Sequence, residues 1–240
     1  MKITIGHLFY DLLNLYGESG NVLALKQCLE EQGVDVELKN LSINDEWNLT
    51  NIDFLYIGAG TRNNLEIALE TLHKYKKEIK DFIERDKYFL ATGNSVDLFG
   101  EYILDNNNKN EMLGLFDYYT ERTGKRRVSE CVFEFLQNEL VVLGFENNDG
   151  KFVNSMAPVF KVIKGYGTEN EKDRGVEGFK YNNFYTTYLI GPILARNPKL
   201  LFTLCKDIIL SKDDTFQLKE SDLEIENEAY NKYLKRYDNK

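Results

Sequence analysis

The chain has 240 residues, 42% of them hydrophobic and including 15 Tyr and 15 Phe, enough for one sizeable domain with a substantial core. A formal net charge of −9 argues against a general nucleic-acid binder, which needs a basic face; the one dense basic run, RTGKRR at 122–127, reads as a solvated turn or as an anion contact. No run of about 18 apolar residues predicts a membrane span, and three scattered cysteines (Cys28, Cys131, Cys205) with two histidines and no Cys-x-x-Cys argue against a disulfide framework and a zinc site and fit reduced thiols in cytoplasm.

MKITIGHLFYDLL interleaves polar residues and reads as a first strand over 3–9, not as a signal peptide. Tyr16-Gly17-Glu18-Ser19-Gly20-Asn21 then opens a helix over 21–32, with Val22, Leu25 and Leu29 on one face and Gly33 where a C-terminal cap belongs. Backbone N–H groups at such a start hold an anion or carboxylate, or form a plain cap. Residues 34–41 alternate as a strand. Residues 54–57 form a buried strand ending in Gly58-Ala59-Gly60, which offers N–H donors of the kind an oxyanion hole needs, or a tight strand–helix turn. Leu65, Ala68, Leu69, Leu72, Tyr75, Ile79, Phe82 and Ile83 hold a 3.6 period, predicting one helix over 63–84.

KYFLATGNSVDLFG, at 87–100, is an apolar run that breaks into Thr92-Gly93-Asn94-Ser95 and restarts with a helix-like pattern. In α/β enzymes that shape, strand into sharp turn into helix, presents a nucleophile. The turn carries Thr92 and Ser95 and no cysteine.

The middle changes character. Residues 115–120, 128–136, 140–146 and 159–163 are short strand candidates joined by turns such as Asn147-Asn148-Asp149-Gly150, read as antiparallel hairpins added to the sheet. Gly165-Tyr166-Gly167 reads as a hairpin turn. Residues 185–189 form another strand. Asn197-Pro198 starts a helix, with Asn197 as its N-cap and Pro198 at its first position, carrying Leu201, Leu204, Cys205 and Ile208 on one face. Ser221 and Glu224 form a capping-box pattern for a last helix, whose Tyr230, Tyr233, Leu234 and Tyr237 pack on the body or on a partner. The strand–helix alternation of the first half implies a mostly parallel sheet covered on both faces, with the site at the strand C-termini. No G-x-G-x-x-G or P-loop pattern supports nucleotide binding.

Tyr16-Gly-Glu-Ser-Gly-Asn21, Tyr56-Ile-Gly-Ala-Gly60, the turn at Thr92-Gly93, Gly144-Phe-Glu-Asn147, Gly165-Tyr-Gly167 and Thr187-Tyr-Leu-Ile-Gly-Pro-Ile-Leu194 occur in one order. In that order the chain resembles class I glutamine amidotransferases of the cobyric-acid-synthase-like branch, most of all the GatD-like subunits of lipid II isoglutaminyl synthase. The resemblance spans about residues 3–210. It implies a flavodoxin-like amidotransferase fold over 1–212 with a C-terminal helical extension over 213–240. It also implies a cysteine–histidine pair that hydrolyses glutamine and passes ammonia to a Mur-ligase-like synthetase.

Both members of that pair are missing. The family elbow reads Cys-Gly-Gly-(Tyr/His)-Gln. Matched from its start, Thr92 stands at the cysteine; matched from the Leu-Gly that follows, Gly93 does. The family histidine lies in Thr-Tyr-Leu-His-Gly-Pro, where this chain has Ile190. A threonine hydroxyl needs a base to attack, and an isoleucine cannot accept a proton. Cys28 and Cys205 fall on helical core patterns and Cys131 on a strand. His7 ends the first strand and His73 lies on a polar helix side, so none is an evident substitute. The binding side is retained: Gly58 and Gly60 as the oxyanion-side loop, Gly93 at the turn, and Arg126, which matches an arginine that GatD-like proteins use for glutamine. Arg126 reads as a bidentate carboxylate clamp or as an exposed arginine of a basic turn. Together these imply a cytoplasmic subunit without glutaminase chemistry, a heterodimer with a Mur-ligase-like synthetase in cell-wall precursor modification. Its expected ligand is glutamine or another carboxylate, with no cofactor and no metal. The alternative is an active amidotransferase supplying ammonia for lipid II or cobyric-acid-type amidation. A hydrolase working through Thr92 or Ser95 lacks a nearby base.

Overall fold

A computed structural model describes residues 1–154, 156–169, 171–220 and 223–238. The first half alternates as its pattern predicts: β1 (Lys2–Leu8), α1 (Ser19–Glu31), β2 (Asp35–Leu41), β3 (Phe54–Ile57), α2 (Arg62–Lys74), α3 (Lys76–Glu84) and β4 (Tyr88–Thr92). A 3-10 helix, Gly93–Phe99, follows β4. The antiparallel middle holds β5 (Tyr102–Asp105), β6 (Asn108–Glu111), β7 (Tyr118–Phe135), β8 (Leu140–Asn154), β9 (Phe160–Lys164) and β10 (Val176–Glu177). The chain returns through β11 (Phe179–Tyr181) and β12 (Phe184–Thr187) and ends in α4 (Ile193–Arg196), α5 (Pro198–Lys212) and α6 (Glu224–Asp238).

The main sheet has the order β11-β12-β4-β3-β1-β2 and is parallel except for the β11–β12 hairpin. Strand alternation sends its side chains to two cores. Phe54, Tyr56 and Leu90 join Val22, Leu25 and Leu29 of α1 and Leu201 and Ile208 of α5. Leu55, Ile57, Phe89 and Ala91 join Leu65 and Leu72 of α2 and Ile79 and Phe82 of α3. The sheet is therefore covered on both faces, as a parallel sheet must be.

The structure corrects four expectations. The antiparallel strands build a second sheet, β10-β9-β7-β5-β6 with β8 on β7, and only β11 extends the first one antiparallel. Residues 115–120 and 128–136 contribute to one long strand, β7, which bulges between Arg122 and Arg127 around Gly124 (φ +69°). Asn147–Gly150 lies inside β8, paired across that bulge, and is no turn; the reversal falls near Glu139 (φ +58°). The expected helix over 63–84 breaks at Tyr75, whose ring stacks on Trp47 at 4.6 Å and whose hydroxyl accepts from Trp47 N. The β5–β6 hairpin escaped notice because Asn108–Glu111 is polar throughout; Asn106 and Asn107 supply its two positive φ angles, 49° and 67°.

Asn197 precedes Pro198 at the α5 start as expected, but its side chain does not cap. It accepts from Leu143 N (2.7 Å) and donates to Leu143 O (2.8 Å), tying the helix to β8. The tyrosine face of α6 is turned inward: Tyr230 donates to Val141 O (2.8 Å) and Tyr233 to Glu130 (2.6 Å). Of the proposed capping box, Ser221 lies outside the described residues. No described helix is long and apolar enough to cross a membrane.

Candidate functional site

The C-terminal ends of β1, β3, β4 and β12 converge, and most of the quoted motifs meet there around one buried carboxylate. Glu18, with no exposed surface, accepts from the Tyr56 hydroxyl (2.7 Å) and Thr92 Oγ1 (2.5 Å) at Oε2, and from Gly191 N (2.7 Å) at Oε1. Asn21 extends this hub, donating to Tyr56 (2.8 Å) and accepting from Leu194 N (2.8 Å). Burial, followed by the Glu18 charge, pushes the Tyr56 phenol well above its ordinary value, so it stays a donor. The start of α1 holds no open anion site, since Ser19 N already donates to Asn14 (2.9 Å). Sequence reasoning missed Glu18 and Tyr56; both sit in quoted motifs, but nothing in their spacing announces that they meet.

The turn after β4 divides its residues between two environments. Thr92 is wholly buried and gives its hydroxyl to the hub. Ser95 is also buried and donates to Thr92 O (2.9 Å), so neither hydroxyl is presented to a ligand. Gly93 has φ +63°, the left-handed conformation that is strained in a nucleophile elbow carrying a side chain and unstrained in glycine, and it lines an open cavity of about 350 Å³. A Cβ placed on Gly93 would lie 2.6 Å from Ala59 Cβ and 2.8 Å from Ile190 Cγ2. Ile190, 2% exposed, is fixed there by donating its N–H to Phe145 O (2.9 Å). The structure thus brings Gly93 and Ile190 face to face and turns Thr92 away.

Of the two loop glycines, Gly60 lines the cavity and Gly58 does not; a Cβ on Gly58 would meet Leu13 O at 2.5 Å and Glu18 Cβ at 2.7 Å, so it serves close packing on the hub. The Gly60 N–H points at the elbow and donates to Asn94 Oδ1 (3.1 Å), while Asn94 Nδ2 donates back to Gly60 O (2.8 Å).

The opposite wall carries the β7 bulge. Arg122 is half-buried and committed, to Asp97 (2.8 Å) and Asp149 (2.6 Å); Arg62 also pairs with Asp149 (3.1 Å). Arg126 lines the cavity, is exposed, and has no ion pair among the described residues. Asn147 donates to Tyr16 (3.0 Å) and leaves a buried Oδ1 without a partner. A free guanidinium and a free amide acceptor on one wall suit a ligand with a carboxylate and a donor.

Among the described residues no cysteine or histidine lines this cavity, and the carboxylate that does, Asp149, is paired with Arg122 and Arg62. Cys28, Cys131 and Cys205 are buried, and burial pushes the Cys131 thiol far up. His7 lies under Tyr56 with ring centroids 5.4 Å apart, and burial depresses it to about 4. Behind the wall, burial raises Glu146 to about 8 and Glu177 to about 7. Glu146 neighbours Arg127, whose Nε and Nη1 find no partner. Glu177 accepts from Thr187 Oγ1 and Tyr188 N, each at 2.7 Å.

Residues 4–198 match the CobB/CobQ-like glutamine amidotransferase domain. The chain is similar to the lipid II isoglutaminyl synthase (glutamine-hydrolyzing) subunit GatD of Staphylococcus aureus (strain N315), 31% identical, covering 95% of this chain and 93% of the relative. It is 29% identical to the subunit of that name from Streptococcus pneumoniae (strain ATCC BAA-255 / R6), over 88% and 82%. A glutamine amidotransferase of Thermotoga maritima shares the fold, with a TM-score of 0.53 at 12% identity, over 89% of this chain and 86% of that one.

Proposed function

Because the chain belongs to the CobB/CobQ-like glutamine amidotransferase family, we propose that it is a glutamine-amidotransferase-type subunit of lipid II isoglutaminyl synthase that does not itself hydrolyse glutamine. One observation carries the silent-site reading: the elbow residue facing Ile190 is Gly93, so the position that would attack has no side chain and the position that would take its proton is a hydrocarbon. Amide hydrolysis through a covalent intermediate needs both. Of the two matches that the sequence allows, the positive φ favours Gly93 over Thr92 as the nucleophile position.

Its role is then binding or scaffolding for a Mur-ligase-like synthetase in cell-wall precursor modification, in the cytoplasm, with 1–212 as the amidotransferase-like body and 213–240 as a C-terminal extension whose α6 docks on it. The GatD names of relatives matched over nearly their whole length support the assignment to this complex. The inward-facing tyrosines of α6 do not, and the partner surface is sought elsewhere. The cavity holds a small carboxylate ligand, glutamine or a relative of it, through Arg126 and Asn147.

Incubation with glutamine tests the chemistry: no glutamate release above a no-protein control is expected. Release that Gly93→Val removes would support the alternative, an active amidotransferase supplying ammonia. Co-expression with a Mur-ligase-like synthetase tests the partner. One shared size-exclusion peak is expected, and two independent peaks at micromolar concentration count against it.

A further inference from the structure

The Gly60 backbone offers one donor and one acceptor at the cavity floor, next to the elbow. Both are taken by a single side chain: Asn94 Oδ1 accepts from Gly60 N (3.1 Å) and Asn94 Nδ2 donates to Gly60 O (2.8 Å). A primary carboxamide thus lies against the backbone pair in a two-bond, ring-like contact, the arrangement an incoming carboxamide would itself adopt. Asn94 and Gly60 both line the cavity, so the contact stands where a ligand would arrive.

We propose that Asn94 is an internal plug: its carboxamide occupies the Gly60 N–H and C=O and denies them to any bound ligand. This rests on the reading of Gly93 as the nucleophile position and adds to it a separate lock. A thiol and an imidazole restored at 93 and 190 would still face a floor whose anion-stabilising donor is engaged. Ligands of the native cavity are held from the Arg126 and Asn147 wall instead, which selects for a carboxylate and is blind to a side-chain amide.

Two measurements judge the plug. The first is amide hydrogen exchange at Gly60, followed by NMR in the native chain and in Asn94→Ala. Gly60 exchange is expected to rise at least about tenfold in the variant, with protection in β3 and β4 unchanged. The second rebuilds the chemistry as Ala59→Gly/Gly93→Cys/Ile190→His, the first change making room for the new Cβ, and compares it with the same variant carrying Asn94→Gly. The probe is a diazo-ketone glutamine analogue: the thiol sulfur bonds to the diazo carbon, that carbon takes a proton, and N2 leaves. Labelling mapped to residue 93 is expected to be at least about tenfold faster without Asn94, since the freed Gly60 N–H would then hold the carbonyl oxygen of the analogue and place its diazo carbon beside the thiol. Unchanged Gly60 exchange, or equal labelling rates including no labelling in either background, overturns the plug. Glutamate release by the native chain would instead sink the silent-site reading, and Gly60 exchange would then judge the plug alone.

Discussion

Thr92 and Gly93 are joined by one peptide bond and belong to regions built on opposite terms. Thr92 completes a hub in which Glu18 has donors from Tyr56, Thr92 and Gly191. Gly93 opens onto a cavity, with the Ile190 side chain and the Ala59 methyl beside it and the Asn94 carboxamide on Gly60. The hub holds loops from both ends of the sequence in register, so its loss would cost the fold. The cavity wall instead carries groups open to a ligand, Arg126 among them, which the fold does not use in an ion pair among the described residues. The two regions show that adjacent residues can serve the scaffold and the cavity separately: the Thr92 hydroxyl is spent on Glu18, while Gly93 faces the cavity.

The comparison breaks most severely at Glu18. Glu18→Ala leaves the Tyr56 and Thr92 hydroxyls and the Gly191 N–H buried without their acceptor, at about 1–3 kcal/mol each. Thermal unfolding should show a loss of about 3 kcal/mol or more, a fall in Tm on the order of 6–12 °C for a chain of this length. A melting curve that matches the native chain would remove the hub from the explanation.

A methyl at the elbow tests the other side. Gly93→Ala forces a side chain onto φ +63° and into Ala59 and Ile190, with an expected loss of about 2–3 kcal/mol from backbone strain and overpacking. Ala59→Gly should return part of that, and a double-mutant cycle reads the coupling. Strictly additive effects would mean that the two residues do not share the space.

The acids behind the cavity predict a pH trend. Glu146 and Glu177 have folded values near 8 and 7, above the ordinary 4.5, so the folded chain holds protons that the unfolded chain has released. Their contribution is full below about 4.5 and is lost as pH rises through 7 and 8. His7, depressed to about 4, acts oppositely, but only below its ordinary 6.5. Between pH 6.5 and 8.5 stability should therefore fall, and Glu146→Gln should flatten the decline. An identical slope in the variant would assign the trend to other groups.

The smallest structural effect is expected at Arg126. It is exposed and unpaired among the described residues, so Arg126→Ala should move Tm by less than about 2 °C. If the cavity binds a carboxylate, the same change should weaken L-glutamate binding in calorimetry at least about tenfold, the scale of one charge-assisted contact. Unaltered affinity would move the ligand off this wall.

Local pattern was sufficient for the parallel half. Period-2 and period-3.6 apolar spacing recovered β1, α1, β2, β3 and β4 to within a few residues, because burial on both faces of a parallel sheet writes itself into the sequence. The antiparallel half was less legible: Asn108–Glu111 has no apolar alternation, and the 147–150 run looks like a turn until β7 pairs with it. Only tertiary structure decided which of Thr92 and Gly93 faces the cavity, because that depends on the sign of one φ angle and on which neighbours stand within 3 Å. Tertiary structure also decided that Arg122 is spent on Asp97 while Arg126 has no ion pair among the described residues, and that Asn94 closes on Gly60. Sequence spacing fixes the period of an element, but those contacts join residues tens of positions apart, and their partners are chosen by how the elements pack.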